Sequence, residues 1–255
     1  MVKYVVSLFL DFLYPHLCYG CATPGTYLCP TCQLSLITKE SFHPAKSSLD
    51  GAISIYRYTG IIRQMIEDYK FSFVFDLTPT FVDLIYQNLT KNFPHILNYW
   101  QENNFVLVPI PLHSTRQNWR GFNQSVLIGE LLSPKLKLKL IPDLLVRTTT
   151  SIPQSTIKDK RLRRINTKNI FTLNKKHISP LLVKGGGGGG LDKLNGSMPA
   201  RRGGINDKCS NILLLDDVYT TGSTINSAVS AIIPLSSKGV SASGGQGIWS
   251  LTIAG

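Results

Sequence analysis

No stretch of about 20 consecutive apolar residues occurs in the 255-residue chain, so no transmembrane helix is expected. The first 15 residues contain a short apolar run, but Asp11 interrupts it. No small-residue cleavage site follows that run, which argues against a secretory signal peptide. We predict instead that residues 2–13 form an amphipathic helix that packs on the body of a cytoplasmic protein.

Acidic residues are scarce: 15 Asp and Glu accompany 27 Lys and Arg, which gives a formal net charge of +12. The excess is concentrated between His113 and Lys176, where 14 basic residues accompany 3 acidic ones. We call residues 113–176 the basic belt. Such a concentration indicates a polyanionic partner, such as nucleic acid, a phosphorylated metabolite or a membrane surface. A solvated basic face is the simpler alternative.

Cysteine is also rare, and four of the five cysteines fall in one short segment with the spacing C-x2-C-x7-C-x2-C: Cys18, Cys21, Cys29 and Cys32. Two such knuckles can direct four thiolates at one tetrahedral Zn²⁺. Two disulfides or a redox C-x-x-C are the alternatives, and the cytosolic character of the remaining chain favours the metal. Because four thiolates leave no open coordination position, we predict a structural zinc. Cys209 is isolated and is interpreted as a strand-edge residue.

Strand patterns alternate with helix patterns along the rest of the chain, which predicts an α/β fold with a mostly parallel sheet. On the first predicted helix, one face carries Ile62, Met65, Ile66 and Tyr69. The predicted strands are residues 51–58, 105–111, 143–148, 169–173, 211–217 and 248–254, and the predicted helices are residues 60–70, 77–89, 121–132 and 223–233.

Residues 185–204 interrupt this pattern with nine glycines, six of them consecutive. A run of that kind cannot hold one conformation at a reasonable entropic cost. A phosphate-binding loop is the alternative, but the chain contains no G-x-x-x-x-G-K-[ST] motif. We therefore predict a disordered and dispensable surface loop.

The stretch ILLLDDVYTTGST, residues 212–224, combines a buried strand with two adjacent acids and a small hydroxyl-rich loop. Ligands of open α/β sheets bind beyond the carboxyl ends of the strands, where Asp216 and Asp217 would lie. The loop from Thr220 to Thr224 and the helix after it can surround a phosphate. One ribose 5-phosphate satisfies both features, whereas a strand-end turn with a helix cap is the alternative. Because adjacent carboxylates repel each other, Asp217→Asn is expected to relieve strain in the ligand-free protein.

Residues 212–224 also resemble the motif with which type I phosphoribosyltransferases bind 5-phosphoribosyl 1-pyrophosphate (PRPP). The four-cysteine segment, YRYTGIIRQMIEDYKF, VPIPLHSTRQNWRGFNQS and residues 147–171 resemble corresponding parts of the ComF family, the competence protein F-like proteins. The resemblance covers most of residues 8–255 and is absent over about 174–208. It implies a helix and zinc ribbon in residues 1–45. A phosphoribosyltransferase-like domain would follow in residues 46–255, with a flexible insertion at about 185–208.

The resemblance implies a site for PRPP and Mg²⁺ at the end of the strand that carries the two aspartates. The implied catalytic residues are Asp216, Asp217, Arg116 and Lys160. The implied PRPP-binding residues are Asp216, Asp217, Thr220, Thr221, Gly222, Ser223, Thr224, Arg116 and Arg120. Arg161, Arg164, Gln154 and Asn166 belong to the same polar segment as Lys160 and could close over the ligand.

Three classes of function fit these features. The first is transfer of a ribose 5-phosphate group, and the second is non-enzymatic binding of PRPP or a nucleotide. The third is binding of single-stranded DNA by the basic belt, as expected of a partner of the competence machinery in natural transformation. The acceptor substrate and the oligomeric state stay open.

Overall fold

The computed structural model describes residues 16–42, 49–112, 119, 121–148, 170–177, 211–236 and 247–255. The predicted N-terminal helix over residues 2–13 and the glycine-rich segment 185–204 lie outside these described residues. Both therefore stay predictions from the sequence.

The central element is a six-stranded sheet with the order β1-β2-β8-β7-β3-β4. Its strands are β1 (Thr38–Phe42), β2 (Gly51–Tyr56), β3 (Val106–Pro109), β4 (Lys139–Leu140), β7 (Ile212–Val218) and β8 (Ile248–Ala254). Every neighbouring pair is parallel except β1 and β2, which run antiparallel. Two short strands, β5 (Leu145–Arg147) and β6 (Phe171–Leu173), form a separate antiparallel pair. The predicted mostly parallel α/β fold is confirmed.

The register of the sheet places the carboxyl ends of three central strands together. Pro109, which ends β3, lies opposite Leu215 of β7. On the other side of β7, Asp216 lies opposite Thr252 near the end of β8. The two aspartates therefore lie at the edge of the sheet at which ligands of parallel α/β proteins bind.

Six α-helices lie in the described part of the chain, and four of the five helices predicted from the sequence are among them. They are α1 (Pro30–Leu34), α2 (Gly60–Phe71), α3 (Leu77–Asn92), α4 (Pro94–Glu102), α5 (Gln124–Leu136) and α6 (Ser223–Ser236). The predicted apolar face of α2 is confirmed, because Ile62, Met65, Ile66 and Tyr69 are all buried. Among the helices that the structure describes, none is long and apolar enough to cross a membrane.

The sequence patterns do not predict α1, α4, β1 and β4. Helix α4 is short and begins at Pro94 directly after α3 ends, so its pattern merges with that of α3. Contacts with other parts of the fold stabilise this helix, because its Ile96, Leu97 and Trp100 side chains are buried. Strands β1 and β4 lie at the edges of the sheet. Edge strands carry weak periodic signals because only part of their surface is buried.

The apolar core lies on both faces of the sheet. Leu213 and Leu215 of β7 pack with α2, α3 and α5 on one face. Ile212 and Leu214 point to the opposite face, where α6 covers the sheet with Ile225 and other apolar residues. The continuous apolar run of β7 follows from this arrangement, since a central parallel strand is buried on both faces.

Candidate functional site

The first candidate site is the cysteine cluster, formed by Cys18, Cys21, Cys29 and Cys32. The four sulfur atoms lie within 4.8 Å of one another, and all four cysteines are free thiols rather than disulfides. The sulfurs of Cys21 and Cys29 are 3.6 Å apart. Sulfurs that bind one tetrahedral zinc at about 2.3 Å lie roughly 3.8 Å from each other. The cluster therefore fits a Zn²⁺ ion, as predicted.

Backbone N–H groups donate to two of the sulfurs. Cys18 Sγ accepts from the N–H of Cys29 at 3.3 Å and from that of Gly20 at 3.5 Å. Cys29 Sγ accepts from the N–H of Cys32 at 3.4 Å. Hydrogen bonding by the Cys29 N–H lowers the pKa of Cys18 to about 6, whereas hydrogen bonds with Cys29 and Cys21 raise the pKa of Cys32 to about 12. Ionisation of one thiol therefore disfavours ionisation of its neighbours. A bound cation would lower the pKa of all four thiols and allow them to ionise together.

Gly20 makes the first knuckle possible. A Cβ atom at this position would lie 2.5 Å from Cys32 Sγ and 2.9 Å from Ile61 Cδ1. No side chain can approach a sulfur that closely, so the knuckle closes only with glycine between the cysteines. The same observation shows that the first knuckle touches both the second knuckle and α2.

The cysteine cluster is docked on α2 and α3. Tyr19 OH donates a hydrogen bond of 2.8 Å to Asp68 Oδ2 of α2, and burial raises the pKa of Tyr19. Gln33 Nε2 donates to Gln87 Oε1 of α3 at 2.7 Å. Leu28 is buried in the same apolar core as these helices. Helix α1, in contrast, has no buried residue.

The second candidate site is the carboxylate pair, Asp216 and Asp217, at the end of β7. Asp216 Oδ1 accepts the N–H of Asp217 at 2.9 Å and faces Ser125 Oγ of α5 at 3.5 Å. Asp217 Oδ1 forms an ion pair of 2.8 Å with Lys70 Nζ of α2. The Lys70 and Asp217 side chains are only 17% and 11% exposed. The site thus brings together β7, α5 and α2.

Burial and the neighbouring charge of Asp217 raise the pKa of Asp216 to about 7. The N–H of Asp217, the ammonium of Lys70 and the hydroxyl of Ser125 oppose this shift without cancelling it. A carboxyl group with such a pKa readily loses its proton near neutral pH. The carboxylate can then bind a cation or accept a hydrogen bond from a hydroxyl group.

The loop after the carboxylate pair contains the predicted phosphate-binding residues, from Thr220 to Thr224. Gly222 has φ +71, and a Cβ atom there would overlap the hydroxyl of Tyr219. Thr221 Oγ1 donates to Ser223 Oγ at 3.1 Å and accepts the N–H of Ser223 at 3.4 Å. Thr220, Thr221 and Ser223 are exposed, and α6 begins at Ser223. The loop presents hydroxyl groups at the start of a 14-residue helix.

The predicted basic residues of the site lie outside the described residues. They are Arg116, Arg120, Lys160, Arg161 and Arg164. The polar residues Gln154 and Asn166 and the isolated Cys209 also lie outside the described residues. Their roles therefore stay predictions that rest on the sequence and on the resemblance to the family.

Two members of the site, Lys70 and Ser125, are not identified by the sequence motifs. Lys70 belongs to a Lys-Phe pair within one of the family-like segments, but that pattern assigns it no role. The sequence places Lys70 directly after Tyr69, the last buried residue of α2, but does not identify its partner. A basic residue at that place can reach the same edge of the sheet as the aspartates. Its partner Asp217 is distant in the chain, so only the fold identifies the pair.

Together, these features define an α/β protein with a mostly parallel central sheet, a strand-end carboxylate pair and a four-cysteine cluster suited to a structural metal. No protein-family model matches the chain. Over 180 residues, the chain is 27% identical to competence protein ComFC of Bacillus subtilis, covering 71% of this chain and 57% of that protein. Over 180 residues, it is 28% identical to competence protein F of Haemophilus influenzae, covering 70% and 65%, respectively.

These similarities support membership of the ComF family, as the sequence motifs predicted. The matched region spans less than two thirds of the length of each of these two relatives.

Proposed function

We propose that the chain is a phosphoribosyltransferase-like protein that binds PRPP or another ribose 5-phosphate at the end of β7 and acts in DNA uptake. The observation that carries the proposal is the short distance in sequence between the carboxylate pair and the hydroxyl-rich loop. One strand-to-helix turn joins two carboxylates to exposed Thr220, Thr221 and Ser223. A ribose 5-phosphate carries two vicinal hydroxyls and a phosphate that match these groups.

Within the described part of the chain, the contacts of the pair use Oδ1 of each carboxylate. Lys70 engages Oδ1 of Asp217, and the N–H of Asp217 engages Oδ1 of Asp216. The Oδ2 atom of each carboxylate is then the natural acceptor for a ribose hydroxyl or ligand for Mg²⁺, which prefers carboxylate oxygens. The phosphate would lie at the loop, where backbone N–H groups at the start of α6 favour negative charge.

The charge of the pair explains why further basic residues are needed. The two carboxylates and the Lys70 ammonium carry no surplus positive charge among themselves, although PRPP is polyanionic. In the proposal, Arg116 and Arg120 bind the pyrophosphate, and Lys160 stabilises its charge as it leaves. These assignments rest on the resemblance to the family. Transfer of the ribose 5-phosphate group to an acceptor is proposed as well.

The cysteine cluster has a separate role in the proposal. Its four residues would hold one Zn²⁺ whose function is structural, because four thiolates leave no position for a substrate. When bound, the ion supplies a cross-link that fixes the two knuckles and the surface that docks on α2. Reduced thiols at this cluster are consistent with a cytoplasmic location, which we include in the proposal.

The domain boundary near residue 45 also stays part of the proposal. Residues 38–42, on the N-terminal side of that boundary, form β1 and pair with β2 of the central sheet. The N-terminal part of the chain thus contributes an edge strand in addition to the cysteine cluster.

The second candidate function is binding of single-stranded DNA. The basic belt favours it, because its 14 basic and 3 acidic residues form the largest charge excess in the sequence. Both relatives are competence proteins. The cysteine cluster gives this alternative little support, since no Lys or Arg lies between Cys21 and Cys29.

Calorimetry of the purified, zinc-loaded chain separates the two candidates. PRPP with Mg²⁺ and a single-stranded oligonucleotide are titrated at two salt concentrations. We expect saturable PRPP binding with a shallow salt dependence, because one PRPP molecule brings only a few phosphates into contact with the protein. DNA binding by the belt would have a steep salt dependence, since each neutralised phosphate releases a counterion. Steep DNA binding without any PRPP binding would replace the first candidate by the second.

A further inference from the structure

Three consecutive residues near the end of α2 contact three different parts of the molecule. Asp68 accepts the hydroxyl of Tyr19 from the cysteine cluster at 2.8 Å. Tyr69 is fully buried in the core and shares a hydrogen bond of 2.7 Å with Thr78. Lys70 forms the 2.8 Å ion pair with Asp217. Less than one helical turn therefore separates the cysteine cluster from the carboxylate pair.

The position of Tyr19 depends on an assembled cysteine cluster. Tyr19 lies inside the first knuckle, between Cys18 and Cys21, and the adjacent Gly20 is packed against Cys32. A segment of this size has too little apolar core to hold that geometry without a cross-link. The ring of Tyr19 therefore reaches Asp68 in a defined orientation only when the knuckles are closed.

The position of Lys70 in turn affects the carboxylate pair. Its ammonium and the Asp217 carboxylate are both largely buried, so each is costly to leave unpaired. A lysine stem is flexible, and a shift at the end of α2 allows the ammonium to move into solvent. Asp217 would then face Asp216 without compensation, and Oδ2 of Asp217 would lose its fixed direction.

We propose that Lys70 is the positioning residue of the carboxylate pair, and that the cysteine cluster holds Lys70 in place through the Tyr19–Asp68 hydrogen bond. The cluster thus acts on the strand-end site at a distance, through one turn of α2. The consequence for PRPP binding rests on the proposed function, whereas the coupling between the cluster and Lys70 does not.

The coupling is tested by the reactivity of the Lys70 amine towards acetylation, measured by mass spectrometry on the full zinc-loaded chain. Exposed Lys91 serves as the internal reference. We expect Lys70 to react more slowly than Lys91 in the wild type and faster in Asp217→Asn. Tyr19→Phe should raise the Lys70 rate about fivefold, as expected for the loss of one hydrogen bond. Removal of zinc should raise it at least as much.

Ser72→Ala is the matched control. Ser72 Oγ donates to the other oxygen of Asp68 at 3.1 Å, but this bond lies within the α2 region and does not reach the cluster. The control should leave the Lys70 rate unchanged. If Tyr19→Phe loses its zinc, Asp68→Ala breaks the same contact from the side of the helix. An unchanged Lys70 rate in both variants and after zinc removal would overturn the coupling.

The effect on the site is tested with PRPP and Mg²⁺. Lys70→Met should weaken binding at least tenfold, and Lys70→Arg should recover part of the loss because it restores the positive charge. Equal affinities of Lys70→Met and wild type would contradict the positioning role. If the wild type binds no PRPP, the proposed function fails, and the acetylation rates alone decide whether the cluster controls Lys70.

Discussion

The cysteine cluster and the carboxylate pair are built in opposite ways. All four cysteines belong to one short segment, and local hydrogen bonds such as Cys29 N–H to Cys18 Sγ shape their knuckles. The carboxylate pair instead collects side chains from β7, α2 and α5, which are distant in the chain. The first site follows from spacing, whereas the second exists only after the sheet has formed.

The two sites also differ in what stabilises them. The segment around the cysteines contributes few buried side chains, and α1 contributes none. The carboxylate pair lies on a central strand that apolar side chains cover on both faces. We therefore expect the cluster to depend on a bound metal and the pair to depend on the balance of its own charges. Each of the following predictions tests one side of this contrast.

The largest effect is expected from removal of zinc or from Cys29→Ala. Structural zinc contributes roughly 10–16 kcal/mol in isolated zinc-finger peptides, so the cluster should unfold without it. The central sheet should persist because its own strands and the helices that cover them supply nearly all of its buried core, to which the cysteine segment adds Leu28. Hydrogen exchange should show lost protection at residues 16–34 and retained protection in β7 and β8.

Cys209→Ala is the control for that experiment, because Cys209 is not one of the four clustered cysteines and its loss should leave the zinc content unchanged. Purified, reduced protein should contain one zinc per chain. Absence of stoichiometric zinc, or four freely reactive thiols in the native protein, would refute the metal site.

A smaller but still large loss is expected from Lys70→Met. This change leaves buried Asp217 without its partner, which typically costs about 3–5 kcal/mol. The matched control is Lys135→Met, since Lys135 pairs with Asp83 at 3.1 Å on the surface, where both side chains are about half exposed. Loss of that exposed pair should cost less than about 1 kcal/mol. Urea unfolding measures the free energy of unfolding of both variants. Equal losses would show that the buried Lys70–Asp217 pair contributes no more to stability than the exposed Lys135–Asp83 pair.

A gain in stability is expected from Asp216→Asn. Because the folded protein raises the pKa of Asp216 to about 7, the native state holds a proton that the unfolded state has lost. The contribution of this group to stability therefore falls as pH rises from about 4 to about 7. Asp216→Asn should remove that decline and stabilise the ligand-free protein by about 1–2 kcal/mol above pH 7, allowing for partial solvent access.

Asp217→Asn gives the contrasting result in the same unfolding experiment. The sequence alone suggested that this change would relieve repulsion. The ion pair with Lys70 changes that expectation, because the variant leaves a largely buried ammonium without its partner. We now expect Asp217→Asn to destabilise the ligand-free protein. Stabilisation by Asp217→Asn rather than by Asp216→Asn would reverse our assignment of the charges.

The smallest effect is expected from deletion of residues 185–204. The prediction comes from the sequence, where consecutive glycines provide no side chains for packing. Joining the flanks with a short turn should leave folding and PRPP affinity unchanged. A tenfold loss of affinity, about 1.4 kcal/mol, would instead make the segment part of the site.

Much of this molecule could be predicted from short-range patterns. The spacing of four cysteines, the apolar face of α2 and the apolar run of β7 all depend on neighbours in the chain. The membership of Lys70 and Ser125 in the site could not be predicted in that way. Their contacts with the aspartates arise because α2 and α5 pack at the same edge of the sheet. A pattern of neighbouring residues in the sequence does not reveal which distant elements come together.

The elements that the sequence patterns missed have a related cause. Helix α4 is held in place by the burial of Trp100, whose ring contacts Trp249 of β8 edge-to-face at a centroid distance of 5.7 Å. Strand β1 is specified by its pairing with β2. In both cases the deciding partner is another element of the fold rather than the segment itself.

The central claim is that the turn after β7 binds a ribose 5-phosphate, and calorimetry of two variants tests it most directly. Thr221→Val removes a hydroxyl from the loop, and Asp217→Asn removes a charge from the carboxylate pair. We predict that Thr221→Val weakens the binding of both ribose 5-phosphate and PRPP, and that Asp217→Asn weakens PRPP binding in the presence of Mg²⁺. Wild-type affinity in both variants, or no affinity of the wild type for any ribose phosphate, would contradict the claim.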